Sequence, residues 1–399
     1  LLCNPLNNQK LKIRYKGLVM RYIIVVMLIL SASPSLIYAS SYPKTITDIT
    51  GRKVTFNAAP KHIALSTGRV FPLLEILFQE QAGEYLSSLR DDMRTSAPSM
   101  YKLYRKKYPR LETLPRIGAI KTGEFDAERF INQKPRADLF LMDLSNVKAA
   151  NDNGLIEKLD HAGVNVIAID FREDPFKNTV DSVRSVAEAV GRSEQGEAFV
   201  RYYNSHLQVI KDGLSDLKKT EKKRVFIERS AGKGDNCCNT FGSGNFGAYL
   251  PFLKAENIAN KPLKGAATGT MSAESIIVSR PDVYIMATTG WIDEEGRSAN
   301  GIPLGYLPNE KLIAQGTKKI MQRKWLPALK SYQDKNIFSI YMPFYNSPYN
   351  LVALEYFAKW IYPKRFAALD PNKTFEEMNA TLADHEVSGI FGQNNFTLK

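Results

Sequence analysis

The feature that most constrains this chain is an internal echo. Asp126-Ala-Glu-Arg-Phe-Ile-Asn-Gln-Lys-Pro-Arg-Ala-Asp-Leu-Phe-Leu-Met142 aligns with Ser272-Ala-Glu-Ser-Ile-Ile-Val-Ser-Arg-Pro-Asp-Val-Tyr-Ile-Met286. Both copies read as a capped acidic first turn, a short amphipathic helix, a basic residue with proline, then aspartate and a buried strand. Between them, from Thr179 to Lys218, there is no strand pattern. Val180, Val183, Val186, Ala187 and Val190 hold helical spacing and Gly191 ends that helix. A second helix follows from Glu194 to Leu217, with Phe199, Tyr202, Tyr203, Leu207, Ile210 and Leu214 on one stripe. At 1.5 Å per residue, its roughly 24 residues span roughly 36 Å, enough to cross a whole domain. Two like lobes joined by one long helix satisfy this pattern.

Around the echo, strands and helices alternate. Thr45 to Phe56 is a hairpin turning at Gly51-Arg52. His62-Ile-Ala-Leu65, Asp138 to Met142, Val164 to Asp170 and Arg224 to Glu228 are short apolar strands separated by helical segments. That order predicts an α/β fold of parallel, doubly wound sheets.

The N-terminus carries an address. Lys10-Leu-Lys-Ile-Arg-Tyr-Lys16 and Arg21 are basic, Tyr22 to Leu30 is apolar, and Ser31-Ala-Ser-Pro-Ser35 is small and turn-prone. This is the order of a secretory signal peptide, expected over residues 1–39 with cleavage after Ala39. The nine-residue apolar run is well short of the ~18–20 residues a bilayer span needs. Cleavage would remove five cations and no acid, taking the net charge from +13 to +8. About 360 residues would remain, enough for two lobes with real cores. The charge is spread along the chain without a dense block, so nucleic acid is not expected as a partner.

The opening ITDITGRKVTF hairpin, the HIALSTGRVFPLLEILF segment, the two echoed units, the long helix and the late Ile337-Phe-Ser-Ile-Tyr-Met-Pro-Phe-Tyr-Asn-Ser-Pro-Tyr-Asn-Leu-Val-Ala353 together resemble a known family. It is that of the helical-hinge (class III) periplasmic binding proteins of iron–siderophore and vitamin B12 ABC importers. The resemblance covers roughly residues 43–362. It implies two doubly wound α/β lobes with the ligand in the cleft between them: an N-terminal lobe over 40–192, a connecting helix over 193–219 and a C-terminal lobe over 220–363, with 364–399 outside the pattern. It also implies a monomeric, non-enzymatic protein of the periplasm that hands its ligand to an inner-membrane permease. One exposed glutamate on each lobe docks that permease, here Glu128 and Glu274.

Open α/β sheets bind ligands beyond the carboxyl ends of their strands. The corresponding loops carry Arg69, Arg172, Arg229, Trp291, Tyr345 and Tyr349. Guanidinium forks recognise anionic oxygens and aromatic rings supply contact area, a mixture suited to a ferric siderophore. Vitamin B12, haem and an oxyanion such as molybdate are the alternatives within the fold. An exported enzyme is the alternative outside it, but GxSxG, HExxH and P-loop motifs are absent. No resident cofactor is expected. His62, His161, His206 and His385 lack ligand spacing, so no bare-metal centre is expected either.

The stretch Asp235 to Gly247 holds two further candidates. Gly242, Gly244 and Gly247 match GxGxxG outside a dinucleotide-binding context, and such a turn could offer backbone N–H groups to an anion. The adjacent Cys237 and Cys238, placed with the ligand-binding residues, admit a vicinal disulfide, two buried thiols or soft-metal chemistry.

Overall fold

The computed structural model describes residues 42–234, 237–291 and 301–397; the expected signal peptide lies outside these. The first described element is the hairpin of β1 (Lys44–Thr47) and β2 (Lys53–Phe56), paired antiparallel with Thr45 opposite Thr55. Asp48 makes its turn by accepting from the backbone N–H of Thr50 and of Arg52, and Gly51 takes the left-handed φ of 83° that the turn requires.

The N-terminal lobe is built on β3 (Ile63–Leu65), β4 (Leu86–Arg90), β5 (Arg116–Ile117), β6 (Leu139–Asp143) and β7 (Asn165–Ile169). They form one all-parallel sheet in the order β5-β4-β3-β6-β7. Strands buried on both faces read as near-continuous apolar runs, as Leu139-Phe-Leu-Met142 does. The order reverses between β3 and β6, so this is a doubly wound sheet with its switch point there. Helices α1 (Phe71–Phe78), α2 (Pro98–Lys107) and α3 (Ala127–Asn132) belong to this lobe.

After α4 (Pro175–Ala189), α5 runs from Ser193 to Gly213. Its 21 residues give roughly 31 Å at 1.5 Å per residue, one turn less than the sequence pattern suggested. The helix stops where Gly213 meets the Phe366 ring; a Cβ there would lie 2.4 Å from that ring. Phe199, Val200, Tyr203, Leu207 and Ile210 form its buried stripe. Tyr202 is only partly buried and reaches a later segment through its hydroxyl.

The C-terminal lobe has a mixed sheet. Its parallel centre is β8 (Arg224–Arg229), a later strand over Val283–Thr288 and another over Ile337–Tyr341. Beside β8 lie β9 (Asn239–Phe241), β10 (Glu256–Asn257) and β11 (Thr268–Thr270), the first and last antiparallel to their neighbours. Then follow α6 (Ala273–Ser279), β12 (Val283–Thr288), β13 (Gly305–Tyr306), α7 (Glu310–Met321), β14 (Ile337–Tyr341) and α8 (Asn350–Ile361).

Residues beyond 363 are integral to the lobe. They form α9 (Pro371–Met378), β15 (Gly389–Ile390) and β16 (Gly392–Asn394), and β16 is the antiparallel edge strand on β14. Their alternation is short and glycine-broken, which is why the sequence carries little strand signal there.

The echoed units superpose in kind. Asp126 caps α3 by accepting from Arg129 N–H, and α3 leads to β6; Ser272 caps α6 by accepting from Ser275 N–H, and α6 leads to β12. Between the lobes, Asn350 at the start of α8 is a three-way buried joint. It accepts from the Tyr203 hydroxyl at 2.8 Å and donates to the Phe171 carbonyl at 3.2 Å and to Thr179 Oγ1 at 2.8 Å.

Candidate functional site

The loop after β3 is held by one carboxylate. Asp92 accepts from Thr67 Oγ1 at 2.6 Å, from Gly68 N–H at 2.6 Å and from Arg69 Nε at 2.7 Å. Gly68 must be glycine-small because a Cβ would lie 2.7 Å from the Arg90 carbonyl oxygen. Across the switch point, Ser66 Oγ accepts from Asp143 N–H at 2.8 Å, tying this loop to the end of β6. The loop after β7 is fixed the same way. Asp170 accepts from the backbone N–H of Arg172, Glu173 and Asp174 and from Asn178 Nδ2.

These frames aim one guanidinium at a phenol of the other lobe and fix a second within its own lobe. Arg69 Nη1 donates to the Tyr345 hydroxyl at 2.8 Å, and its guanidinium lies 5.3 Å from that ring's centre. Arg172 donates to Ser145 Oγ, and its Nε sits 3.3 Å from Asp143 Oδ2 without a hydrogen-bond partner. Asn245 N–H donates to the Arg172 carbonyl at 2.8 Å, a further polar contact between the lobes. Arg69 is 9% exposed and Tyr345 6%. Phe241 and Phe246 flank the phenol at 6.0 and 5.7 Å between ring centres.

Electrostatics sharpen the cluster. Burial pushes the Tyr345 phenol up, but Arg69 and Arg172 outweigh it and bring the group below its ordinary value. Burial opposes both guanidiniums, yet Tyr345 and Asp92 raise Arg69, and Asp143 and Tyr345 raise Arg172. Both cations therefore stay charged, each matched by an aspartate.

Buried polar atoms without partners occur at the carboxyl ends of the parallel C-terminal strands, Arg229 Nε at the end of β8, Thr289 Oγ1 after β12 and Asn346 Oδ1 after β14, and Asn245 Oδ1 in the loop after the antiparallel β9 is another. Such orphans ask for water or a ligand. By contrast, a groove of about 470 Å³ that includes Lys223, Asp282, Asn336, Trp360 and Arg365 opens at the amino ends of β8, β12 and β14. It lies at the wrong end of the sheet for the cleft.

The overall structure is similar to that of the TroA-like periplasmic binding protein FepB from Veillonella parvula, with a TM-score of 0.78 at 21% identity, covering 88% of this chain and 99% of that one. This chain has the TroA-like periplasmic binding protein fold. The molybdate periplasmic binding protein MolA of Haemophilus influenzae matches with a TM-score of 0.62 at 17% identity, covering 87% and 99% of the two chains. Helicobacter pylori CeuE in a Ni-His complex matches at 0.58 and 13%, covering 86% and 96%. No family model and no curated protein sequence matches the chain.

Within the TroA-like fold the other expected residues separate. Arg229 ends β8, half-buried. Trp291 follows β12 and is 3% exposed, its ring 2.9 Å from where a Cβ on Gly301 would stand. Tyr349, expected in the cleft, is a core residue instead. Its hydroxyl donates to Asn379 Oδ1 at 2.7 Å and its ring stands edge-on to Phe375 at 4.9 Å, because the C-terminal segment covers it.

Cys237 and Cys238 are paired as a vicinal disulfide. Cys238 exchanges backbone hydrogen bonds with Met271 and lies 4.0 Å from the Tyr284 hydroxyl. Most donors of the Gly242–Gly247 turn are already committed. Gly242, Ser243, Asn245 and Gly247 N–H are all taken by backbone carbonyls. The glycines serve close packing: a Cβ on Gly247 would stand 1.8 Å from the Gly242 carbonyl oxygen.

Glu128 and Glu274 occupy the same place in their capped helices, and both are exposed. Glu128 pairs with Lys158, whereas the Glu274 carboxyl is lowered by its own backbone N–H and by Ser272. The counter-ions Asp92 and Asp143 are the part sequence reasoning passed over. Asp143 was legible as the last residue of a strand, but nothing distinguishes Asp92 from its neighbour Asp91 without the fold. Among the described residues no cluster of three His, Cys, Asp or Glu is placed to hold a metal, and no helix is long and apolar enough to cross a membrane.

Proposed function

We propose that this chain is an exported solute-binding protein that captures an anionic metal chelate, a ferric siderophore first among them, and delivers it to an ABC permease. The observation that carries this reading is the contact of Arg69 with Tyr345 between the carboxyl ends of two sheets, with the fixed Arg172 acting electrostatically on the same phenol. Two fixed guanidiniums beside aromatic surface suit a planar or lobed anionic ligand. The protein works in the periplasm as a monomer, and the ligand is cargo rather than cofactor. Glu128 and Glu274, one on each lobe at equivalent helix starts, supply the charged pair that orients the permease. The solved proteins of this fold include one with molybdate and one with Ni-His, so the ligand is chosen by side chains and not by architecture.

Tryptophan fluorescence of the mature protein, titrated with ferric catecholate and hydroxamate siderophores, cobalamin, haemin and molybdate, tests the assignment. Iron-free siderophores serve as inner-filter controls. Saturable quenching by a ferric chelate supports it. Saturation by one of the others, or by none, transfers or removes the ligand while leaving the fold.

A further inference from the structure

The segment after α8 leaves the C-terminal lobe, touches the N-terminal lobe and comes back. Its helix α9 packs on α8, and the hydroxyl of Tyr202 on the long helix α5 donates to the Thr374 carbonyl at 3.3 Å. Residues 379–383 continue as a single π turn packed on α1 of the N-terminal lobe, with Leu382 and Ala383 buried. The chain then reverses at Asp384, in the left-handed region at φ 48°. From there β15 pairs with β13, and β16 re-enters the C-terminal sheet against β14.

At the point where this segment meets the N-terminal lobe lies a fully buried carboxylate. Glu75, on α1, accepts from Lys107 Nζ at 3.2 Å and from the Tyr108 hydroxyl at 3.0 Å through Oε1. His385 Nδ1 stands 3.3 Å from the same oxygen, at ion-pair distance but without hydrogen-bond alignment. Glu75 Oε2 has no partner. Tyr104 from α2, Tyr306 from β13 and Tyr349 from the start of α8 face the same carboxylate, which raises all three phenols further after burial has raised them. A buried carboxylate is costly unless it is paired. Of its two basic neighbours, Lys107 comes from its own lobe and His385 from the returning segment.

We infer that residues 371–395 are a clasp that holds the two lobes at a set separation, with Glu75 as its anchor and His385 as its catch. The clasp is a second connection beside α5. Arg69 and Tyr345 meet almost out of reach of solvent, so on the proposed binding function a ligand reaches them only when the lobes part. Parting them drags residues 379–385 off α1. The fixed ends make the geometry plain: β16 is locked into the C-terminal sheet through Tyr341 N–H, which donates to the Phe391 carbonyl at 2.7 Å. Only the middle of the segment is free to let go.

Backbone amide exchange on the ligand-free full chain tests the clasp independently of any ligand. The variants are Glu75→Gln and His385→Ala, with His385→Gln as the variant that keeps a polar side chain of similar reach. Exchange in 379–390 and in the facing loops 66–70 and 341–346 is expected to quicken on the order of tenfold. Strands β6 and β7, and the β8–β12 pair, should keep wild-type protection. Wild-type exchange throughout would overturn the clasp. So would a uniform loss of protection that includes β6 to β8, because that is general destabilisation. Failure of the ligand titration with a positive exchange result leaves the clasp standing.

Discussion

The Arg69 guanidinium of one lobe donates to the Tyr345 hydroxyl of the other at 2.8 Å. Because Arg69 is itself pinned by Asp92 on the loop after β3, the contact reports the separation of the two lobes. Because Arg172 adds its field, the phenol is acidified as well.

The first prediction concerns that acidity. With its native pKa below the ordinary 10.0, Tyr345 loses its proton in the folded protein before it would in the unfolded chain. Its contribution to stability is therefore fully present above the ordinary value and is lost as pH falls through the native one. Ultraviolet difference titration should show a phenolate component that titrates ahead of the other tyrosines and is missing in Tyr345→Phe. An unchanged curve in that variant would mean that the two cations do not act on this phenol.

A second prediction tests the interlobe joint. Asn350→Leu leaves the Tyr203 hydroxyl, the Phe171 carbonyl and Thr179 Oγ1 without their shared partner. At about 1–3 kcal/mol for each buried group left unpaired, the variant should lose at least ~3 kcal/mol in urea denaturation. An unshifted midpoint would show that water replaces Asn350 at no cost.

The glycines give a third. Gly247→Ala must displace a backbone carbonyl, so it should cost at least ~2 kcal/mol. Gly234→Ala meets nothing within 4 Å and should stay within ~0.5 kcal/mol of wild type. Equal midpoints for the two would remove the close-packing account of the Gly242–Gly247 turn.

A fourth concerns Cys237 and Cys238. Thiol titration of the mature protein, unfolded without reductant, should find neither free. Two free thiols there would overturn the vicinal pair.

How much of this was legible in the sequence differs between fold and site. The echo of Asp126–Met142 in Ser272–Met286 reports a local unit, capped helix then buried strand, whose determinants sit within a few residues of one another. Arg69, Arg172 and Tyr345 were legible as loop residues at strand ends, since the switch-point rule follows from strand order. Their convergence was not, because residues 276 apart meet only through packing of the lobes. Tyr349 shows the same limit from the other side. It shares one turn with Tyr345, yet a segment without strong periodicity folds back to cover it. The role of His385 was hidden too, since its partner Glu75 looks like one acid in an apolar helix.

An anionic chelate held where Arg69 meets Tyr345 is the central claim. Equilibrium dialysis of a radiolabelled ferric siderophore against mature wild-type protein, Arg69→Ala and Tyr345→Phe tests this most directly, with amide exchange confirming that each variant is folded. Saturable binding by wild type should weaken by roughly tenfold or more in Arg69→Ala, as for loss of a charge-assisted contact of about 1.5–3 kcal/mol, and by less in Tyr345→Phe. Equal affinity across all three folded proteins would place the ligand elsewhere and contradict the central claim.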